Sequence, residues 1–270
     1  MQQTILITGA TDGIGLETAR MLVGMGHRVL LHGRSPAKLE AVASSLSSAA
    51  DKGLIESYVA DLSRFGDVEA LAKAVTETHS KLDVLINNAG VFTIRDAMTS
   101  DGLDVRFVVN TIAPYLLTTR LLPLFGESGR VINLSSAAQS PVDIDALTGK
   151  RRLTDGEAYA QSKLALTMWS HRLAISLGNK GPAIIAVNPG SFLGSKMVKE
   201  AYGTTGKDLR IGADILTRAA LADEFASASG QYFDNDSGQF ADPHPDALDQ
   251  DKATEVVSAI ESLLEKYTNT

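Results

Sequence analysis

The sequence predicts an open α/β fold, in which a doubly wound parallel sheet is covered by helices on both faces. First, an apolar run at residues 5–7 leads into a glycine-containing turn, and a helical pattern of apolar residues follows. Second, runs rich in Val, Ile and Leu alternate with helical patterns, as in a parallel sheet that is buried on both faces. Third, no repeat, low-complexity segment or linker divides the 270 residues. We therefore expect three layers in a single domain spanning residues 1–270.

The individual elements follow from the same patterns. After the strand at 5–7, further strands are predicted at 28–31, 54–60, 82–86, 130–134 and 183–187, with a short final strand near Tyr232. Helices are predicted from the glycine turn to about 26, and at 35–46, 68–79, 101–125 and 158–177. The second helix begins with Ser35 as its cap and Pro36 as its first residue. A C-terminal helix is predicted to pack onto the domain through apolar residues between 256 and 264.

Two polar segments interrupt the alternation of strands and helices. Residues 140–156 carry the basic run Lys150, Arg151 and Arg152, and the irregular segment 192–207 directly follows a strand. Ligands of open α/β sheets bind outside the carboxyl ends of the strands, so both segments are candidate walls or lids of a substrate cleft. Ordinary surface loops are the alternative, and the position of the second segment favours a lid.

Composition excludes several classes of site and partner. The 25 basic and 32 acidic residues give a net charge of −7, which argues against a nucleic-acid or anionic-membrane partner. The absence of cysteine excludes disulfides, thiolate nucleophiles and cysteine–zinc sites, and the five histidines lack zinc-ligand spacing, so no metal is expected. Met1 leads almost directly into the first strand, and no apolar run approaches the length of a membrane span. We expect a cytoplasmic protein.

The turn at the start of the chain has the chemistry of a phosphate site. Gly9, Gly13 and Gly15 follow the pattern G-x-x-x-G-x-G rather than G-x-G-x-x-G. Gly9 allows the tight turn, Gly13 lets a pyrophosphate approach the backbone, and Gly15 lets helix and strand pack closely. The positive end of the following helix favours the anion. A tight connection without a ligand is the alternative for this motif alone.

Arg34 ends the second predicted strand, where an NAD site usually has an acidic residue that accepts a hydrogen bond from the ribose 2′-hydroxyl. An arginine suits the 2′-phosphate of NADP instead, so the sequence favours NADP over NAD. An exposed arginine that binds no ligand is the alternative.

Tyr159 and Lys163 are four residues apart and therefore share one face of a predicted helix. A free tyrosine has a pKa of about 10, too high for efficient proton exchange near neutrality, and a nearby ammonium lowers it. The tyrosine then protonates a carbonyl oxygen or deprotonates an alcohol. Ser135 and Ser136 end the fifth strand at the same edge of the sheet, where a hydroxyl polarises a carbonyl. Capping or turn chemistry is the alternative role for these serines.

Together these motifs resemble the short-chain dehydrogenase/reductase family, whose fold is a Rossmann-type doubly wound sheet. The matching segments are Thr8-Gly9-x-x-x-Gly13-x-Gly15, Asn87-Asn88-Ala89-Gly90, the Tyr159/Lys163 pair and Pro189-Gly190. The resemblance runs from about residue 4 to 195 and more loosely to the end. It implies a hydride transfer between a nicotinamide and a carbonyl or secondary alcohol.

The resemblance also implies a role for each matched residue. Tyr159 is the general acid/base, Lys163 holds the nicotinamide ribose and lowers the tyrosine pKa, and Ser136, rather than Ser135, orients the substrate. Asn110 holds a water of the proton relay or, as the alternative, is a buried helix asparagine that bonds to backbone. Asp61 and Leu62 border the adenine, and Asn88 either lines the cofactor or ties two strands together. The resemblance implies cofactor contacts at Gly9, Thr11, Asp12, Gly13, Ile14, Gly15, Arg34, Asp61, Leu62, Asn88, Ala89, Gly90, Tyr159, Lys163, Pro189, Gly190 and Ser195.

Three features depart from the family pattern. The 23 positions between Ser136 and Tyr159 are about twice the gap of compact members, and this looks more like the retinol dehydrogenase and protochlorophyllide reductase branch. The family's threonine after Pro-Gly is missing, and Ser195 is the substitute. Asp12 occupies a position that is often basic in users of NADP, which weakens the preference for NADP without reversing it.

Two hypotheses about function remain open. The first is an NADP(H)-dependent oxidoreductase acting on a carbonyl or secondary alcohol; the second is a regulatory protein that binds NADP(H) without chemistry. A hydrolase is disfavoured because the G-x-S-x-G motif is absent. A homodimer or homotetramer is expected, with Met168 and Trp169 either in an interface or in the core, and His171 at the surface or in an interface.

Overall fold

The computed structural model of the chain describes residues 1–47 and 54–268. Within these residues, every strand belongs to one sheet. The strands are β1 (Thr4–Ile7), β2 (Arg28–Gly33), β3 (Ile55–Val59), β4 (Val84–Asn87), β5 (Arg130–Leu134), β6 (Ala183–Asn188), β7 (Tyr232–Asp234) and β8 (Gln239–Ala241). Their order across the sheet is β3-β2-β1-β4-β5-β6-β7-β8. The order reverses beside β1, so the carboxyl ends of β1 and β4 flank a crevice.

Strands β1 to β7 are parallel, which confirms the predicted doubly wound α/β fold. The last strand differs from the prediction, because β8 runs antiparallel to β7. A tight turn joins the two strands, in which the Gly238 N–H donates to the Asp234 carbonyl at 2.8 Å. Gly238 has a φ of +71°, a conformation that glycine adopts without strain.

Helices cover both faces of the sheet. They are α1 (Gly13–Gly24), α2 (Pro36–Ser47), α3 (Phe65–Thr78), α4 (Val105–Phe107), α5 (Ala113–Leu121), α6 (Ile144–Leu147), α7 (Asp155–Leu177), α8 (Lys196–Tyr202), α9 (Leu209–Leu221) and α10 (Gln250–Thr268). Side chains from α1, α2 and α9 share one core, and those from α3, α5, α7 and α10 share the other. Successive strand residues alternate between the two cores, since Leu6 faces one while Ile5 and Ile7 face the other.

The helix after β4 is interrupted in its middle. A π-helical segment at Val108–Ile112 separates α4 from α5. The helical region Val105–Leu124 is long and apolar enough to span a membrane, whereas no such stretch is expected from the sequence. However, 78% of its most apolar part is buried inside the protein. Burial against the sheet accounts for its composition.

The region after β6 is more regular than predicted. The prediction of an irregular segment at 192–207 is wrong, because α8 lies within it. This helix has only seven residues, and capping defines both its ends: the Ser195 hydroxyl accepts from the Val198 N–H, and Gly203 terminates it with a φ of +66°. Helix α9 was also missed; its face around Leu216 packs towards α1.

The 140–156 segment is anchored rather than loose. The Asp143 carboxylate caps α6 by accepting from the N–H groups of Asp145 and Ala146. Leu147 of α6 is fully buried in the core shared with α10. The segment is therefore fixed beside the carboxyl edge. Helix α7 begins within it, at Asp155 rather than at the predicted residue 158, because a Thr154/Glu157 capping box starts the helix there.

Met168 and Trp169 lie in the core, because α10 packs over α7. The Trp169 ring contacts Tyr115 edge to face, with the ring centroids 5.5 Å apart, and the Tyr115 hydroxyl donates to Glu261 at 2.7 Å. The face of α7 that carries Met168 and Trp169 is thus covered by α10 of the same chain. His171 is half-buried on the same helix and bonds to the Gly230 carbonyl at 2.9 Å. The homodimer or homotetramer stays a prediction, and Met168 and Trp169 are not its contacts because they lie in the core.

Candidate active site

Glycine is sterically required in the turn after β1. Gly9 and Gly13 have φ angles of +67° and +58°. A Cβ atom on Gly15 would lie 2.3 Å from the Asn88 amide nitrogen and 2.4 Å from the Gly9 carbonyl oxygen. The glycine turn, residues 9–15, therefore packs against the loop after β4 with no room for a side chain at Gly15.

The contacts of Asn88 agree with the structural alternative considered for it. Its Nδ2 donates to the carbonyls of Thr8 at 2.8 Å and Gly9 at 3.1 Å. The Ala89 N–H in turn donates to the Thr8 hydroxyl at 3.0 Å. These bonds join the carboxyl ends of β1 and β4 and fix the floor of the crevice between them.

His32 is a site residue that sequence reasoning missed. It lies on β2, where its Nδ1 accepts from the Gly9 N–H at 3.2 Å and its Nε2 bonds to the Ala60 carbonyl at 3.1 Å. Because Nδ1 accepts, the proton is assigned to Nε2. Burial lowers the pKa of His32 to about 4, outweighing the opposing effects of the Ala60 carbonyl and Asp61. A neutral imidazole therefore connects the glycine turn to the end of β3.

The first turn of α1 fits a phosphate group. The Asp12 carboxylate accepts from the Gly13 N–H at 2.7 Å, and the Leu16 N–H donates to the Asp12 carbonyl at 3.3 Å. The N–H groups of Ile14 and Gly15 lie between these bonds and precede the helical hydrogen-bond ladder, so they point out of the helix end. Two backbone donors and the positive end of a twelve-residue helix meet at the crevice.

The predicted adenosine end lies beside the carboxyl ends of β2 and β3. Arg34 is exposed immediately after β2. Thr11 packs onto the same strand end, since a Cβ atom on Gly33 would lie 2.5 Å from its methyl group. Asp61 accepts from both the N–H and the hydroxyl of Ser63, at 3.0 and 2.8 Å, and Leu62 is buried. An exposed cation at this strand end fits the 2′-phosphate of NADP.

Tyr159 and Lys163 lie at the same edge of the sheet, on α7. The Lys163 Nζ lies 5.7 Å from the centroid of the Tyr159 ring and donates to the Leu134 carbonyl at 2.7 Å. The lysine is almost fully buried, and this burial lowers its pKa to about 8. The ammonium is thus largely protonated at neutral pH and held beside the tyrosine ring.

The two serines after β5 have different surroundings. The Ser135 hydroxyl is buried and shares a 2.7 Å hydrogen bond with Thr167. Ser136 is half-buried, and its hydroxyl accepts from the Ala138 N–H at 3.1 Å while its carbonyl accepts from Tyr232 and Gln139. Burial, followed by the charges of nearby aspartates, raises the pKa of Tyr232, which keeps its hydroxyl a donor. The exposure of Ser136 agrees with its choice as the substrate-orienting serine.

Asn110 lies in the π-helical segment, and its side chain bonds as the buried-asparagine alternative describes. It accepts from the Val91 N–H at 2.8 Å and donates to the Val91 carbonyl and the Ser162 hydroxyl, both at 3.0 Å. Its backbone carbonyl differs, because Pro114, four residues on, has no N–H to donate to it. The carbonyl of Asn110 therefore lacks the donor that an α-helix would supply.

The 192–207 segment folds back on itself through its two ends. The Gly194 N–H donates to the Lys207 carbonyl, and the Lys207 N–H donates to the Phe192 carbonyl, both at 2.7 Å. A Cβ atom on Gly206 would lie only 2.6 Å from the Gly194 Cα, so the two backbones touch. The chain on either side of α8 is therefore in contact with itself, at Gly194 and Gly206.

The same segment reaches over the crevice. A Cβ atom on Gly13 would lie 3.9 Å from the Cβ of Ser195, and one on Gly90 would lie 3.8 Å from the Met197 methyl and 3.6 Å from Lys163 Nζ. Ser195 therefore lies near the glycine turn and Met197 near the loop after β4. The segment therefore borders the crevice between them, and its role as a lid stays a prediction.

The loop after β6 is held by the turn between β7 and β8. Asn235 donates to the Pro189 carbonyl at 2.9 Å, and Asp236 accepts from the N–H and hydroxyl of Ser191 at 2.9 and 2.6 Å. Gly190, with a φ of +116°, allows the backbone to turn there. The sequence does not reveal this contact, because it depends on the position of β7 beside β6.

The structure therefore brings the predicted groups to one edge. Backbone donors for a phosphate, a buried ammonium, a phenol and a half-buried serine surround the crevice at the carboxyl ends of β1, β4 and β5. Chemically, this arrangement can bind a dinucleotide and exchange a proton with an oxygen. No group of acidic residues or histidines with metal-binding geometry occurs among residues 1–47 and 54–268.

Similarities to known proteins point the same way. A family model described as short chain dehydrogenase matches residues 3–205. Retinol dehydrogenase 13 from Homo sapiens is 31% identical, over 93% of this chain and 81% of that protein. A putative uncharacterized protein from Mycobacterium paratuberculosis has a similar structure, with a TM-score of 0.80 and 29% identity over 98% of this chain and 94% of that one. The RhlG/NADP active-site complex from Pseudomonas aeruginosa gives a TM-score of 0.70 and 25% identity, over 87% and 95%.

Proposed function

The chain belongs to the short-chain dehydrogenase family, and we propose that it is an NADP(H)-dependent oxidoreductase acting on a carbonyl or secondary alcohol. The observation that carries the proposal is the placement of Tyr159 beside the buried Lys163 at the edge where the glycine turn offers its backbone donors. A general acid/base, a cation and a phosphate site then share one crevice.

Each residue has a defined task in this proposal. When bound, the nicotinamide supplies or accepts the hydride. Ser136 donates a hydrogen bond to the substrate oxygen, and Tyr159 gives that oxygen its proton in reduction or removes it in oxidation. The Lys163 ammonium stabilises the phenolate that remains. The Asn110 backbone carbonyl, which receives no hydrogen bond from Pro114, holds a water that returns the proton from solvent.

The cofactor preference rests on the exposed Arg34. The N–H groups of Ile14 and Gly15 bind the pyrophosphate, and Arg34 binds the 2′-phosphate. A relative solved with NADP supports a phosphorylated dinucleotide. Asp12 opposes this preference only weakly, because its carboxylate already caps α1.

The proposal is tested by replacing Tyr159 with phenylalanine. We expect Tyr159→Phe to lower kcat by roughly a hundredfold to ten-thousandfold, because it removes the proton donor while leaving the ring in place. Oxidation of NADPH is followed with a panel of aldehydes and ketones, which includes retinal because of the human relative. NADPH affinity, measured by fluorescence titration, should change little.

A matched control is Tyr267→Phe. Tyr267 lies on α10, and its hydroxyl donates to the Asp101 carbonyl. This substitution should leave kcat unchanged. Full turnover in Tyr159→Phe contradicts the proposed role of the tyrosine. Stoichiometric NADPH binding by the wild-type protein, with no conversion of any substrate in the panel, would instead favour the regulatory alternative.

A further inference from the structure

A buried arginine next to the proposed active site has no part in the chemistry described above. Arg106, on α4, is 1% exposed. Its Nε and Nη2 donate to the two carboxylate oxygens of Asp104 at 2.9 and 2.7 Å. Its Nη1 donates to the Asp155 carboxylate and, at a longer 3.4 Å, to the Phe92 carbonyl. One guanidinium thus connects α4, the start of α7 and the loop after β4.

Both distal partners of this arginine lead to Tyr159. Asp155 is the first residue of α7 and lies one helical turn before Tyr159. The Phe92 ring contacts the Tyr159 ring, with centroids 4.7 Å apart and planes inclined by 64°. The Lys163 Nζ also lies over the tyrosine ring, 5.7 Å from its centroid. Arg106 therefore fixes the helix that carries the tyrosine and the aromatic ring against which it packs.

Burying a guanidinium is costly unless carboxylates compensate it, so its retention beside a site needs a reason. Burial by itself would lower the pKa of Arg106, but Asp104 and Asp155 outweigh that effect and raise it, so the cation persists. We infer that Arg106 is a positioning residue, which holds the Tyr159 hydroxyl in its productive orientation through Asp155 and Phe92. The inference rests on the proposed function for its catalytic readout only.

The chain provides a matched comparison in Arg130. This arginine, at the start of β5, is also buried, and its Nη1 donates to the carbonyls of Ala219 and Ala222 at 3.0 and 2.8 Å. It lies at the amino edge of the sheet, opposite the crevice. Both arginines stabilise the fold, but only Arg106 contacts groups that touch the tyrosine.

The first experiment compares Arg106→Lys with Arg130→Lys. A lysine keeps the charge but cannot form the same forked set of hydrogen bonds. We expect both variants to lower Tm, whereas only Arg106→Lys lowers kcat, by about tenfold, because small displacements of a catalytic group are costly. KM for NADPH should stay within about twofold, since Arg106 bonds to Asp104, Asp155 and Phe92 and to none of the residues proposed to bind the cofactor. Unchanged kcat in Arg106→Lys, or an equal loss in Arg130→Lys, overturns the inference.

A second variant tests the path through the aromatic ring without altering the buried ion pairs. Phe92→Leu removes the ring but retains the backbone carbonyl that Arg106 contacts. If the arginine acts through Phe92, the double variant should lose little more kcat than the more impaired single variant, because coupled changes are not additive. Multiplicative losses would show that the two residues act separately, and would contradict this path.

A spectroscopic readout separates this inference from the proposed function. With ¹³C-labelled tyrosine, the protein gives signals from six tyrosine residues, and the Tyr159→Phe variant assigns that of Tyr159. We expect the Tyr159 signal to shift or broaden in Arg106→Lys and to remain unchanged in Arg130→Lys. This holds even if the wild-type protein converts no substrate, in which case the proposed function fails alone. An unchanged Tyr159 signal in Arg106→Lys refutes the positioning role.

Discussion

The glycine turn and Tyr159 lie at the same edge of the sheet, but different kinds of group hold them. Uncharged side chains join the turn to the neighbouring strands: the Asn88 amide joins it to β4, and the neutral His32 joins it to the end of β3. Charged groups lie near the tyrosine: the buried Lys163 lies over its ring, and the Arg106 cluster, consisting of Arg106 with Asp104 and Asp155, holds the start of its helix.

This difference has a physical rationale. The turn has to bring its backbone close to an anion, and steric contacts leave no room for a side chain at Gly15. The tyrosine has to change protonation state, so its surroundings must stabilise charge in a region of low dielectric. Sterics therefore limit substitution in the first region, and electrostatics limit it in the second.

The most severe test of the steric region is Gly15→Ala. The new Cβ would collide with Asn88 and with the Gly9 carbonyl, at 2.3 and 2.4 Å, so the crevice floor must shift. We expect a loss of about 3 kcal/mol or more in the free energy of unfolding, together with loss of NADPH binding. Chemical denaturation and fluorescence titration measure the two effects.

The control for this substitution lies on the same helix. A Cβ atom on Gly24, the last residue of α1, would meet nothing within 4 Å. Gly24→Ala should therefore retain cofactor binding and be neutral or stabilising by up to about 1 kcal/mol. Similar behaviour of the two variants would mean that the turn tolerates side chains, and the steric explanation would be wrong.

The same contrast explains which parts of the protein could be predicted from sequence. Steric requirements are visible in the local sequence: the glycine spacing and the alternation of apolar runs predicted β1, α1 and the parallel sheet. Short elements such as α8 leave little record, because Ser195 and Gly203 define it by capping rather than by periodicity. Strand β8 was missed because its pairing with β7 depends on a turn rather than on an apolar pattern.

Charged and long-range contacts leave even less trace in the sequence. Tyr159 and Lys163 were identified because four-residue spacing places them on one helical face. Arg106 contacts Asp155 across 49 residues, and His32 contacts Gly9 across 23, so no local pattern pairs them. The roles predicted for Asn110 and Asn88 depended on contacts that only the folded chain reveals.

His32 provides a test that depends on pH. Its pKa is about 4 in the folded protein against about 6.5 when unfolded, so below pH 6.5 the unfolded chain binds the proton more readily. Stability contributed by this neutral histidine is therefore present above pH 6.5 and is lost as the pH falls towards 4. The loss should approach about 3 kcal/mol in the free energy of unfolding.

Denaturant titrations across this pH range measure the effect, with His32→Gln as the test variant and His171→Gln as the control. Glutamine does not titrate, so His32→Gln should be less stable at neutral pH but lose less stability on acidification. His171, which bonds to the Gly230 carbonyl, controls for replacing a half-buried histidine outside the glycine turn. An identical slope in His32→Gln would rule out this histidine as the source.

Arg34 gives the smallest expected effect, because it is exposed and its contribution is limited to one end of the cofactor. We expect Arg34→Ala to weaken NADPH binding by roughly tenfold to a hundredfold, as for loss of a charge-assisted hydrogen bond, and to leave NADH binding unchanged. Arg20→Ala removes an equally exposed charge from α1, where Arg20 pairs with Glu17, and controls for net charge. Because phosphate binding is electrostatic, the difference between NADPH and NADH should shrink as salt concentration rises. Equal weakening of both dinucleotides would place Arg34 outside the 2′-phosphate site and leave the preference for NADP without its main support.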